Sequence, residues 1–291
     1  MLISELSLLQ VSTPLNSYKR LTEGVHLHRA GLNPYSGVVY HESPLALAVF
    51  AHLQSPYLHW LYMLGDLVTC LLLSQLARVV AQQRLVEQER HRATYSKEAQ
   101  PLLATISGTL NAHRTMALAF LLNPFVIANC AGQTSTVWSN LLISLLLLAL
   151  VSGWRTTACL ALTLATYQSL YPALLLVPLL LHRTKHLQGR EVLQEVVSIL
   201  ATCGGAGTFL LLLSREICGD WSFLGATYGF ILSVPELSPN MGIFWYFFTE
   251  MFDHFRLFFV WTFQLNLAVY LAPLAFRLPS SMYFPGVPKS P

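Results

Sequence analysis

Long apolar runs, broken by prolines and a few charged stretches, dominate this chain. A run of about 20 mostly apolar residues is long enough to cross a bilayer as a helix. The pattern predicts the first such helix over residues 57–77, with Asp66 near its middle. Further runs lie at 115–131, 137–152, 156–171, 173–182, 196–214 and, less regularly, 223–234. A last run, 242–276, is long enough for one helix and part of another. Two of these stretches carry internal breakers, Asn123-Pro124 and the pair Pro172 and Pro178. Proline removes a donor from the helical ladder and crowds the preceding turn, so half-helices or re-entrant turns are expected there.

The polar intervals have their own character. Residues 12–44 form a mixed stretch with the turn-forming series Asn33, Pro34, Tyr35, Ser36 and Gly37. Residues 45–54 are short and apolar, which suits a helix lying in the membrane interface. Residues 78–114 hold six Lys/Arg together with Glu87, Glu89 and Glu98 and read as a helical hairpin or loop on one membrane side. The loop 182–190 carries Arg183, Lys185 and Arg190. The excess of basic residues in short cytosolic loops, with four crossings between the two basic segments, places both in the cytosol and residues 12–54 in the lumen.

Composition agrees with the pattern. Hydrophobic residues make up 54% and charged residues 11% of the 291, against about 25% charged in soluble domains; the mean hydropathy is +0.51. The chain is therefore expected to be an all-α, polytopic membrane protein. A net charge of +3, scattered along the chain, gives no basis for nucleic-acid binding. The five cysteines form no CxxC pair, and in apolar helices cysteine acts as a small hydrophobe. His41-Glu42 lacks the second histidine of a zinc protease motif, since Leu45 occupies that position. No metal, cofactor or catalytic residue is expected.

The region richest in candidate chemistry is 228–263. Its first part contains Pro235, Pro239 and Asn240; its second packs eleven aromatic residues between Phe244 and Phe263, threaded with Glu250, Asp253, His254 and Arg256. Intramembrane carboxylates cost on the order of 2.5–3.5 kcal/mol on insertion scales and usually face a bundle interior or polar cavity. Glu250 and Asp253 lie three apart on one helix face, with Arg256 three further on. They suit either an intrahelical ion pair or contact with a polar lipid headgroup. Asp66 likewise suits a polar partner across the bundle or a ligand.

The segment YGFILSVPELSPNMGIFWYFFTEMFDHF, with LNPYSGVVYHESPL, LLNPFVIANC and LATYQSLYP upstream and in the same order, resembles the PIG-U family. That family provides a subunit of the glycosylphosphatidylinositol (GPI) transamidase complex of the endoplasmic reticulum. The resemblance covers most of residues 14–276. It implies a glycosyltransferase-C-like helical bundle with broken helices, in a multi-pass protein of the endoplasmic reticulum membrane. It also implies a non-catalytic role in GPI-anchor biosynthesis, binding the GPI lipid and presenting it to a caspase-like catalytic subunit. The lipid-contacting residues it implies are Tyr228, Phe230, Glu236, Asn240, Trp245, Tyr246, Phe247, Phe248 and Glu250. Arg183 and Lys185 stand as contacts for anionic phospholipid or as simple topology signals. Against the family the chain is expected to be shortened at its start and to lack the last third, with 277–291 a divergent polar tail whose prolines exclude a membrane helix. The stretch around Glu23 and Glu42 is similar to the first lumenal loop of the mannosyltransferases that build GPI. The aspartate pair of those enzymes is replaced here by STPLNSYKR, residues 12–20, which has no carboxylate. A mannosyltransferase using Glu23 or Glu42, or an inactive truncated isoform, are the alternatives.

Overall fold

The computed structural model describes residues 12–37, 39–53, 55–92, 103, 105–235, 239 and 244–281, and all regular structure among them is helical. The chain enters through α1 (Tyr18–Arg29), a 3-10 turn (Pro34–Ser36) and α2 (Pro44–His52). The long α3 (Ser55–Arg90) follows, then α4 (Ile106–Leu121) and α5 (Pro124–Ala131). Next come α6 (Thr136–Ser152), α7 (Arg155–Gln168), a 3-10 turn (Tyr171–Leu175) and α8 (Leu176–Thr184). The last group is α9 (Arg190–Cys218), α10 (Ser222–Ser233), α11 (Phe244–Glu250) and α12 (Asp253–Ser281).

Local chemistry explains the breaks. Asn123 caps α5, its side-chain oxygen accepting from Phe125 N–H at 2.9 Å, and Pro124 occupies the first helical position. There a missing donor costs nothing, so α4 ends and α5 leaves at a 52° bend. Gly153, at φ 79°, closes α6 in the left-handed conformation that glycine adopts without penalty. Asn33 Oδ1 accepts from Tyr35 N–H at 2.9 Å and so starts the Pro34 turn.

Among the described residues, three helices, Tyr57–Arg90, Arg190–Cys218 and Asp253–Ala275, are long and apolar enough to cross a membrane, or four with the bent pair α4–α5. This is fewer than the apolar runs suggest. The runs 137–152, 156–171 and 173–182 become α6, α7 and the 3-10 turn with α8, each of 17 residues or fewer. They pack on one another. Leu146, Leu150, Cys159, Leu162, Leu179 and Ile199 form the principal core, with Leu76, Val79 and Val80 of α3 against it. Residues 78–114 supply the far end of α3 and the near part of α4, and these two helices pack together. α12 runs to Ser281, and its part that is long and apolar enough to cross a membrane ends at Ala275.

The ends of α7 mark the two ends of the bundle. At its start, Arg155 and Arg183 share Glu195, at 3.2 and 2.8 Å, and join α7, α8 and α9. At its end, the Tyr167 hydroxyl accepts from Leu45 N–H at 3.2 Å and pairs with Ser214 Oγ. A second core of Leu21, Tyr35, Tyr40, Leu47 and Phe223 packs residues 12–54 onto this end. Gly24 permits it, because a Cβ there would fall onto the Tyr40 ring.

Candidate functional site

The site starts from an irregularity in α10, a π turn at Gly225–Gly229. Tyr228 and Phe230, two residues apart, point into different cavities on either side of this helix. The Tyr228 hydroxyl donates to the Tyr167 carbonyl at 2.7 Å. Its ring lines a cavity of about 370 Å³ with Leu162, Thr166, Leu176, Gly207 and Leu211. Phe230 is 7% exposed. It stacks on the His41 ring, with centroids 3.7 Å apart. His41 Nδ1 lies 2.8 Å from the Ala226 carbonyl, which it meets as the donor. The segment 12–54 is thus fastened to the π turn.

Phe230 faces a second cavity, of about 380 Å³, between α10, α11 and α12. Its walls include Phe244 and Trp245 of α11 and Val260, Phe263 and Leu267 of α12. Behind them, Phe248 is 3% exposed, with its ring 4.6 Å from Phe244 and 5.9 Å from Phe263. Phe247 contacts Phe259 at 5.4 Å and Phe263 at 5.6 Å. These edge-on pairs are the favoured geometry for aromatic quadrupoles. Tyr246 turns outward, edge-on to Trp245, and Glu250 is exposed at the end of α11. Of the nine residues predicted from sequence, Phe230 and Trp245 therefore line this cavity. Phe247 and Phe248 back it, Tyr228 belongs to the neighbouring one, and Tyr246 and Glu250 lie on the outer surface. Glu236 and Asn240 lie outside the described residues.

α12 grips the end of α10 through two polar side chains. The Arg256 guanidinium donates to the carbonyls of Val234 and Pro235, the latter at 3.0 Å. It is turned to these oxygens rather than to Asp253, so the intrahelical ion pair suggested by spacing does not form. Val234 has φ 44°, rare for a β-branched residue. Eight residues further on, Gln264 Nε2 donates to the Ile231 carbonyl at 3.0 Å. Arg256, Val260, Phe263, Gln264 and Leu267 share one helical face; their three- and four-residue spacing carried a legible signal that the sequence reading did not use. His41 and Tyr171, which lie in two of the segments that carry the family resemblance, reach the site only through tertiary packing.

Outside the membrane-crossing segments, burial pushes the Glu42 carboxyl up to about 8, partly offset by the Ser135 hydroxyl. Glu23 is exposed on α1. Among the described residues, no group of three or more His, Cys, Asp or Glu is placed to hold a metal ion.

Comparison with known proteins gives this arrangement a context. The family model described as GPI transamidase subunit PIG-U matches residues 4–286, beyond both limits of the resemblance noted at 14–276. The GPI-anchor transamidase component PIGU of Homo sapiens is 37% identical over 290 residues, covering 94% of this chain and 65% of its own length. The component PIGU of Mus musculus is also 37% identical over 290 residues, with the same coverage. GPI transamidase component GAB1 of Saccharomyces cerevisiae is 29% identical over 278 residues, covering 94% of this chain and 62% of its own length. The chain thus spans somewhat less than two thirds of the length of these curated relatives. With the family model matched from residue 4 to residue 286, the chain belongs to the PIG-U family of GPI transamidase subunits.

Proposed function

We propose that this chain is a non-catalytic membrane subunit of GPI transamidase that holds the GPI lipid in the endoplasmic reticulum membrane. It presents the lipid to a caspase-like catalytic subunit, whose thioester the ethanolamine amine of GPI attacks. The observation that carries this reading is the aromatic-walled cavity of about 380 Å³ between α10, α11 and α12. Each acyl methylene buried against such walls contributes about 0.8 kcal/mol. Holding the lipid also fixes the amine's approach, and proximity of this kind is worth several kcal/mol of a barrier.

In this reading Phe230 and Trp245 touch the acyl chain, Phe247 and Phe248 support the wall, and Tyr228 lines a second apolar recess. Tyr246 and Glu250 face outward, where a headgroup would pass; Glu236 and Asn240 keep the role that the family resemblance implies. Residues 12–54 lie in the lumen, and the Arg155–Arg183–Glu195 end lies in the cytosol. Arg183, one of the two candidates for anionic phospholipid, is engaged by Glu195 and by the Gly153 carbonyl, which supports a structural part for it at this end of the bundle. The mannosyltransferase alternative has less behind it: the stretch 12–20 has no carboxylate where those enzymes carry an aspartate pair, and Glu23 faces solvent on α1.

The test is photo-crosslinking of a GPI analogue carrying a diazirine in its acyl chain to the assembled complex. Labelled peptides are expected from α10, α11 and α12, and Phe230→Ala with Trp245→Ala should reduce the labelling while leaving co-purification of the subunits unchanged. Labelling confined to other subunits, or unaffected by the double substitution, would overturn the assignment.

A further inference from the structure

Neither of the two apolar cavities reaches α1. A third cavity, of about 340 Å³, lies between α1, α2 and the start of α3, and its wall is of mixed character. Leu21 of α1, Phe50 of α2 and Leu58 of α3 supply an apolar part, with Leu21 and Leu58 buried. His26 and Arg29, three residues apart on the same helix, supply a basic part. Both are exposed, and among the described residues no carboxylate pairs with either. The Arg29 guanidinium donates to the Ala51 carbonyl, one of the groups that the end of α2 leaves open. That bond ties α1 to α2 and uses one of the five donors of the guanidinium, so the rest of the fork is left for a second acceptor.

The wall selects the chemistry of a ligand. A metal ion or an ammonium group would find no carboxylate in it, since Glu23, the acid of α1, is not among the lining residues. A guanidinium is always charged and matches phosphate oxygens two at a time, and an imidazole can donate in either protonation state. The surroundings favour an anion as well. Over residues 12–60, Lys19, Arg20 and Arg29 stand against Glu23 and Glu42, and Glu42 holds its proton up to about 8. The apolar part asks for hydrocarbon next to the anionic group. Tyr57 and Trp60, on either side of Leu58 in the chain, are 67% and 70% exposed. Exposed tyrosine and tryptophan at the end of a membrane helix lie at the level of lipid headgroups, which is the depth of lipid phosphates.

We propose that the cavity between α1 and α2 binds the phosphate of a membrane phospholipid through Arg29 and His26, with the adjoining hydrocarbon against Leu21, Phe50 and Leu58. This site is separate from the cavity between α10, α11 and α12 and stands whether or not that cavity holds GPI. Hydrogen exchange with mass spectrometry, on the full chain in its complex and in an uncharged detergent, tests it with added dioctanoyl phosphatidylglycerol. That lipid is expected to slow exchange over 18–29 and 44–53 several-fold. Dioctanoylglycerol, which lacks the phosphate, should leave these segments unchanged, and inorganic phosphate should protect them only at much higher concentration. Arg29→Gln keeps a donor for the Ala51 carbonyl but removes the charge, and should raise the lipid concentration needed several-fold. His26→Ala leaves the tie between the helices intact and should also raise it. Absent protection, or equal protection by dioctanoylglycerol, would overturn the proposal, as would protection indifferent to both substitutions. Equal protection by inorganic phosphate at the same concentration would assign the cavity to a soluble phosphate and overturn the lipid assignment. Should either variant fail to assemble, the three added compounds compared on the unsubstituted protein decide alone.

Discussion

Glu42 shows how one side chain can make stability depend on pH. Its carboxyl titrates near 8 in the folded protein and near 4.3 in an unfolded chain. Between those values the folded state binds more protons than the unfolded state, so stability falls as pH rises. Glu42→Gln removes that dependence. The substituted protein should show little advantage below the unfolded value, with its lead in melting temperature growing to a maximum at and above pH 8. A thermal melt series in detergent from pH 4 to 9 checks this; a gap that narrows with pH would mean that Glu42 is ionised in the fold. Sequence placed Glu42 beside a histidine and invited a metal or a base. The decisive contact, the Ser135 hydroxyl beside a half-buried carboxyl, depends on a turn that is remote in sequence.

Among the elements, α10 depends most on its neighbours. It has a π turn, ends in a strained valine and is held at that end by Arg256 and Gln264. A hydrogen bond from a charged donor contributes about 1.5–3 kcal/mol. Arg256→Met should therefore free the carbonyls of Val234 and Pro235 and quicken amide exchange over 230–235, with α7 unchanged; hydrogen exchange with mass spectrometry would show it, and an unaltered profile would mean that packing alone holds the turn. Helix existence was readable from the apolar runs, but helix ends were not. α3 continues through 78–90 because Ala, Gln, Arg, Leu and Glu are strong helix formers, in keeping with the helical side of the reading of 78–114 as a hairpin or loop. The aromatic wall of α11 was legible through the family resemblance. The π turn was not, because Gly225–Gly229 carries no pattern that separates it from ordinary helix.

At the scale of the molecule, the two ends of α7 define a polarity. Residues 12–54 and the end of α9 lie at one end, and Arg155, Arg183 and Glu195 at the other. In sealed microsomes a cysteine replacing Lys185 should react with an impermeant maleimide from outside, while one replacing Arg29 should react only after the membrane is opened. The reverse pattern would invert the proposed orientation. The windows of α9 and α12 are each only 6% buried within this chain, so most of their surface meets lipid or other helices. That the chain is a bundle was evident from composition, and the cuts at Gly153 and Pro172 showed in the separate runs 137–152, 156–171 and 173–182; that these pieces fill the centre depends on packing.

The contact between His41 and α10 has a mechanical consequence. One ring both bonds the backbone of the π turn and lies flat on Phe230, so residues 12–54 and the wall of the cavity form a single lever. A protein that draws this segment aside also displaces Phe230.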